Sequence, residues 1–346
     1  MRTFFEIIES FIMKSLLIEA RVTPMVVGNL KRFSLIRKLL PVKTGGTDNA
    51  RYCYAVWFRH LYYYITKGGK GVPEVVAELG PGDSLGIGLA AILSGANKFY
   101  AFDVQHYWNA EKNIEIFDDL VELFMSRSGI PDQNEFKNIS PGLASYAFPE
   151  NILTDDLLKI SLNPDRIRVI RAELANPDNP QNIFIKYQIP WCDSSIIQNR
   201  SVDFILSQAV LEHVDDLEHA YASMASWLKD DGLISHVIDF KSHGFTKNWN
   251  GHWCLSNAEW KIIRGGRIYA INRQPLSVHM NLLEKYGFDV LEKKIKNKET
   301  KISRSDLARE FKQLSQDDLC ASGVYICACK KSLSRLSRKK SDFLMS

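Results

Sequence analysis

The chain has 346 residues, 45% hydrophobic and 24% charged, which is the balance of a globular protein with one large core or two modest ones. Its 44 Lys and Arg against 40 Asp and Glu leave a formal net charge of +4, too small to give a general affinity for nucleic acid. The basic surplus is local. Lys31, Arg32, Arg37, Lys38 and Lys43 follow the first apolar stretch, and Lys330, Lys331, Arg335, Arg338, Lys339 and Lys340 crowd a Ser-rich tail over 331–346 that reads as disordered. Six cysteines, Cys53, Cys192, Cys254, Cys320, Cys327 and Cys329, show neither a disulfide ladder nor a zinc spacing, so reduced thiols and a cytoplasmic location are expected.

The opening "MRTFFEIIESFIMKSLLIEARV" carries Glu6, Glu9, Lys14 and Glu19 within its apolar run, which suits neither a signal-peptide core nor a membrane span. Phe4, Ile7, Ile8, Phe11 and Ile12 fall at helical spacing, so residues 1–70 are read as a helical N-terminal extension. Its apolar stripe packs on its own protein or touches the inner membrane surface together with the basic tail.

From there β-rich runs and helical patterns alternate. Strands are expected at Val75–Leu79, Lys98–Val104, Ile183–Ile189, Val202–Ser207, Leu233–Phe240, Phe288–Ile295 and Gly323–Cys329. Helices are expected over Ser84–Ser94, closed by Gly95, and over Leu217–Leu228, closed by the turn "KDDG" that ends at Gly232. Such alternation predicts an α/β fold: a Rossmann-like, doubly wound, seven-stranded and mostly parallel sheet over 71–330. The stretch 105–182, between the second and third strands, is too long for a plain crossover. It is read as a helical insertion, and "DRIRVIRAELAN" supplies one of its helices. Whether it covers the ligand edge of the sheet is left open.

The stretch "VAELGPGDSLGIG" runs a strand into a glycine turn and then a helix. Gly80, Gly82 and Gly86 loosely match a dinucleotide fingerprint, yet Glu78 and Asp83 flank the place where a pyrophosphate would rest on the helix start. Two carboxylates repel phosphate but suit a ligand that carries an ammonium. The methionine end of S-adenosylmethionine meets that requirement. Asp103, closing the second strand, is placed to accept both ribose hydroxyls, a role it would serve equally for NAD.

At this point the sequence resembles class I S-adenosylmethionine-dependent methyltransferases, on "VAELGPGDS", on "FDV" and on "SVDFILSQAVLEHVDDLEHAYASMASWLKDDGLISHVID". Ser84 stands where many members carry a third glycine, and "DDG" replaces "PGG". The resemblance implies that Glu78, Gly80 and Gly82 hold the methionine side, and that Asp103 with Val104 holds the ribose. It places Pro190, Trp191 and Cys192 beside the adenine, Ser207 and Gln208 under the sulfonium, and His213 one turn along the next helix. The stretch from His252 to Leu291 further resembles bacterial methyltransferases associated with surface-polysaccharide synthesis, which implies O-methylation of a sugar, a nucleotide-sugar or a lipid-linked glycan. Transfer to a hydroxyl needs a proton acceptor. His243, four residues beyond Asp239, is the first candidate, with His252 and His213 behind it. Asn272 and Arg273, near Trp249, Trp253 and Trp260, suit a sugar, and Arg264, Arg267 and Arg273 suit its phosphate. No metal is expected. Two other readings compete: a non-catalytic binding module on the same fold, and an NAD(P)-dependent dehydrogenase, which leaves Glu78 unexplained.

Overall fold

The computed structural model describes residues 46–331 apart from 107, 138, 192, 193, 268 and 269. The apolar N-terminal stripe, most of the basic tail and Cys192 therefore lie outside the described residues. Seven strands form one sheet: β1 (Val75–Leu79), β2 (Lys98–Phe102), β3 (Ile185–Gln188), β4 (Val202–Gln208), β5 (Leu228–Asp239), β6 (Phe288–Asn297) and β7 (Ala321–Lys330). Their order is β3-β2-β1-β4-β5-β7-β6. The five strands from β3 to β5 pair in parallel, and β7 runs antiparallel to both β5 and β6.

The sequence pattern explains the layering. Successive side chains of a strand point to opposite faces, and both faces here are covered by helices, so the central strands carry apolar residues on both sides. On one face Phe204, Leu206, Leu233, Tyr325 and Cys327 meet helices α1 (Ala50–Thr66), α2 (Gly86–Leu93) and α3 (Ala110–Met125). On the other, Ile205, Ile234, Val324 and Ile326 meet α6 (Leu217–Trp227) and α8 (Leu276–Lys285). The crossovers from β1 to β2 and from β2 to β3 thus lie on the first face and that from β4 to β5 on the other, and the strand order reverses between β1 and β4. That reversal opens a crevice at the carboxyl ends of the strands, where open α/β sheets bind ligands.

Three local departures from the expected elements have physical causes. The helix expected from Ser84 begins at Gly86, because the Ser84 hydroxyl is committed: it donates to the Thr47 carbonyl and accepts the Gly86 amide at 3.1 Å. The expected "KDDG" turn is instead the first part of β5. Helix α6 stops at Trp227 and the chain extends at once, with an irregular register opposite Val202 and Phe204. There Lys229 reaches Asp203 at 2.7 Å, and Asp203 also accepts the Val75 amide at 2.8 Å. Third, α1 lies within the region read as an extension but shares its core with the sheet: Tyr54, Trp57 and Phe58 are among the largest fully or nearly fully buried side chains.

The insertion also joins this core. Helices α3, α4 (Asp155–Ser161) and α5 (Pro164–Ala175) bury Phe117, Leu120, Phe124, Leu158, Ile170 and Leu174 against the α1 side. Asn113 of α3, itself buried, accepts the Leu85 amide at 2.8 Å and so braces the glycine turn. Beyond β5 smaller clusters form around Trp253 and around Trp260 of α7 (Asn257–Arg264), and α8 and α9 (Gln316–Cys320) complete the fold. Among the described residues, no helix is long and apolar enough to cross a membrane.

Candidate active site

The sequence from Glu78 to Ser84 builds the crevice around backbone that only glycine tolerates. Gly80 has φ +64°, and a Cβ there would lie 2.6 Å from Val210 Cγ1, while Gly82 has φ +79°. Both values fall in the left-handed region, where a side chain is strained. Thr47 fastens the turn from outside by accepting the Asp83 amide on its hydroxyl at 3.0 Å.

Glu78 is 1% exposed, and its Oε2 has no hydrogen-bond partner. Burial raises its pKa to about 8, an effect offset in part by the Gly88 amide and reinforced by Asp103. A buried carboxylate oxygen without a donor is costly, and a ligand ammonium would satisfy it, whereas a pyrophosphate would add a third negative group. Asp103 accepts the Val104 amide at 2.7 Å; burial raises its pKa to about 6, against the pull of the Val104, Gln105 and Gly82 amides. Val104 beside it is half exposed. Glu78, Gly80, Gly82, Asp103 and Val104 therefore line one continuous rim.

Other expected contacts fall differently. Trp191 is 7% exposed and packs on Phe102 and Trp227, with ring centroids 6.3 and 6.1 Å away, so most of its indole is core. Pro190 precedes it at the end of the same crevice edge, and Cys192 is outside the described residues. Ser207 points inward: its hydroxyl is fully buried and bonded to His236 Nδ1 at 2.8 Å. Only its backbone remains near the crevice. Gln208 is held by α1, with its Oε1 3.2 Å from His60 Nε2. His60 Nδ1 lies 2.7 Å from Ser235 Oγ, and burial lowers the His60 pKa to about 4. A neutral ring facing an amide oxygen must carry its proton on Nε2, so Nδ1 accepts from Ser235.

The expected catalytic residues converge. His213 lies on a 3-10 turn, Leu211–His213, rather than a turn into a helix. Its ring centroid is 5.1 Å from that of His243, whose Nε2 is 3.7 Å from Asp239 Oδ2. His243 has φ +47°, an uncommon conformation for a non-glycine residue and one found at constrained sites. Burial pushes the Asp239 carboxyl up, but hydrogen bonds from His243 and Lys241 outweigh it and hold the group well below the usual carboxylate range. Burial, with His243 adjacent, lowers the His213 pKa to about 4. His252 is 1% exposed, its ring tilted against Trp253 with centroids 4.5 Å apart, and its pKa is lowered by burial to about 3.

Sequence reasoning missed Glu212. It is 3% exposed with neither carboxylate oxygen paired, and burial pushes its pKa well above the usual range. Its signal was present as the acid directly before His213 in "LEHV".

The expected sugar contacts are structural. Arg273 is 5% exposed and donates to the His252 and Leu255 carbonyls at 3.1 and 2.6 Å and to Asn257 Oδ1 at 2.6 Å. Asn272 donates to the Leu211 and Val214 carbonyls at 2.8 Å each, and Arg264 is paired with Asp215. Trp249, Trp253 and Trp260 are all buried, with the first two donating to the Glu299 and Arg273 carbonyls. Arg267 donates to the Ile263 carbonyl and lies over Phe245.

Residues 141–235 match the family described as "Methyltransferase domain". The chain therefore carries a methyltransferase domain. The matched segment carries β3, β4, the Glu212–His213 turn, α6 and the first half of β5; the glycine turn lies before it. No curated protein matches the chain. Solved structures similar to it include a S-adenosylmethionine-dependent methyltransferase of Methanosarcina mazei, 14% identical, with a TM-score of 0.40 and covering 77% of this chain and 96% of its own. One from Mesorhizobium loti is 13% identical at TM-score 0.38, covering 82% and 100%. Phosphoethanolamine N-methyltransferase 2 of Haemonchus contortus, solved with S-adenosyl-L-methionine, is 13% identical at TM-score 0.39, covering 84% and 59%.

Proposed function

We propose that this methyltransferase transfers its methyl group to a hydroxyl oxygen, and that the acceptor is a sugar, a nucleotide-sugar or a lipid-linked glycan. The observation that carries O-methylation is the meeting of Asp239, His243 and His213 at the carboxyl ends of β4 and β5, on the rim that also carries Glu78 and Asp103. An amine that is free of its proton needs no base, whereas a hydroxyl does. The glycan reading rests on the sequence resemblance alone; the buried Trp and Arg residues near Asn272 add nothing to it.

S-adenosylmethionine supplies a methyl carbon activated by a positive sulfur. The chain's own residues do the rest. Glu78 and the Gly80 to Gly82 backbone receive the amino-acid end, Asp103 with Val104 the ribose, and Pro190 with the edge of Trp191 the adenine. His243, with Nε2 turned to Asp239, offers its other ring nitrogen to the acceptor proton. An in-line displacement requires alignment above all, and the Gln208 amide, fixed by His60, borders the place where the two partners meet.

Calorimetric titration with S-adenosylmethionine and S-adenosylhomocysteine, with NAD and NADP as controls, tests the cofactor site; methyl transfer from labelled donor to a panel of sugars, nucleotide-sugars and simple amines tests the acceptor. Transfer to amines alone would overturn O-methylation.

A further inference from the structure

Glu212 is the feature that the reading above leaves unused. A side chain 3% exposed, with two unpaired carboxylate oxygens, is a large desolvation cost unless something positive meets it. Among the described residues no Lys or Arg bonds it: Arg264 is committed to Asp215 and Arg273 to carbonyls and Asn257, and Lys241, although near enough to favour the charge on Glu212, is bonded to Asp239. What does face it is imidazole. One ligand atom from each of Glu212, His213 and His243 lies within 4.8 Å of the other two. We propose that these three residues bind a divalent transition-metal ion.

Several independent features shape the site for that role. The unpaired oxygens of Glu212 are the anionic ligand. His213 bonds the Ala270 carbonyl through one ring nitrogen, and its Nδ1 is buried without a partner. That arrangement, one nitrogen donating to a carbonyl and the other left free, is how metal-binding histidines are oriented. His243 has Asp239 behind Nε2 at 3.7 Å, the carboxylate–imidazole pairing that raises ligand basicity. The turn that carries Glu212 and His213 is rigid, since the Asn272 amide bonds the Glu212 carbonyl at 2.6 Å and its side chain bonds the carbonyls of Leu211 and Val214. The His243 side chain retains 30% exposure, so the site opens on one side. Three protein ligands with an open face is the pattern of a catalytic rather than a structural metal. Two imidazoles and one carboxylate select zinc, manganese, iron, cobalt or nickel over magnesium and calcium, which prefer all-oxygen sets.

What the ion does rests on the O-methylation reading. A hydroxyl coordinated at the open face loses its proton to water more readily, and its oxygen then bonds to the methyl carbon as the sulfur–carbon bond breaks. In that state the free nitrogen of His243 is a ligand and not the proton acceptor.

The full chain, stripped with chelator, is titrated with cobalt(II) and followed by visible d–d absorption. One saturable ion per chain without a thiolate charge-transfer band is expected, and E212Q and H213N each weaken binding by more than about tenfold. S-adenosylhomocysteine affinity, measured on the same samples, shows that the variants are folded. If either fails to fold, H243A on the exposed loop takes its place with the same expectation. Absence of saturable cobalt binding, or cobalt affinity unchanged by the substitutions, overturns the proposal. The O-methylation reading fails separately: no transfer to any hydroxyl acceptor, whether or not cobalt binds, sinks that reading alone. Loss of turnover in H243A without cobalt binding leaves His243 as the base and removes the ion.

Discussion

Glu78 should make cofactor binding depend on pH in a direction that an ordinary carboxylate would not give. Its pKa rises from 4.5 to about 8 in the ligand-free protein, with burial as the main cause. At 1.36 kcal/mol per unit, ionising it there costs on the order of 5 kcal/mol. The sign follows from linkage: a carboxyl whose folded pKa is raised stabilises the fold while protonated, and that contribution is lost as pH climbs from 4.5 towards about 8. Asp103 adds the same sign between 3.8 and about 6. A cationic ammonium requires the ionised form of Glu78, so binding below the raised pKa must expel a proton. Apparent affinity for S-adenosylmethionine should therefore rise by about tenfold per pH unit from roughly pH 6 to 7.5, where the ligand's own amine stays charged. Calorimetry in two buffers of different ionisation enthalpy should show release approaching one proton per ligand. In E78Q both the slope and the proton release should vanish, with the largest loss of affinity at the upper end of the range. A flat wild-type profile, or the same slope in E78Q, would refute the assignment of Glu78 to the ammonium.

Other substitutions probe the remaining parts. D103A should weaken S-adenosylmethionine binding by more than about tenfold, since the role proposed for its buried carboxylate is to accept two ribose hydroxyls; normal affinity by calorimetry would remove it from the ribose. H243A should lower turnover by about a hundredfold or more with cofactor affinity intact, and an unchanged rate would exclude both roles given to that imidazole. R273A should lower stability in denaturant unfolding by roughly 2 to 5 kcal/mol, because a buried guanidinium with three acceptors is lost. Stability equal to the wild type, with weakened binding of nucleotide-sugars, would instead return Arg273 to the acceptor site. Deleting residues 332–346 should reduce binding to anionic vesicles if the basic tail contributes to a membrane contact; unchanged binding would reject that contribution.

The parts legible from sequence were those governed by local chemistry. Strand runs such as Val202–Gln208 are apolar on both faces because helices cover both, and the glycine turn declares itself because Gly80 needs a positive φ beside Val210. The role proposed for Glu78 is likewise electrostatic and local, two acids where a phosphate would sit, and the structure adds to it the burial of that side chain. Boundaries failed where a side chain had a distant obligation. Ser84 leaves the helix to serve Thr47, and Lys229 is held in β5 by Asp203 at the start of another strand.

The site's far side could not be read because it depends on long-range burial. Nothing in the spacing of "HWCLSNAEW" or "NRQP" distinguishes a Trp that faces a sugar from one whose indole bonds a carbonyl 20 residues away, as Trp253 does with Arg273. Polar and aromatic residues in a loop look functional until their hydrogen bonds are counted. Glu212 is the inverse case. In sequence it is one acid in "LEHVDDLEH", where Asp215, Asp216 and Glu218 look equivalent. Folding separates them: Asp215 and Glu218 reach Arg264 and Lys285, and Asp216 caps α6 through the His219 amide at 2.9 Å. Glu212 alone of the four is drawn under the sheet's edge, because Leu211 beside it is fully buried. Its side chain is thereby carried to the two imidazoles with both oxygens unpaired. The chemistry of that corner is a property of which acid the backbone buries, and only the folded chain assigns it.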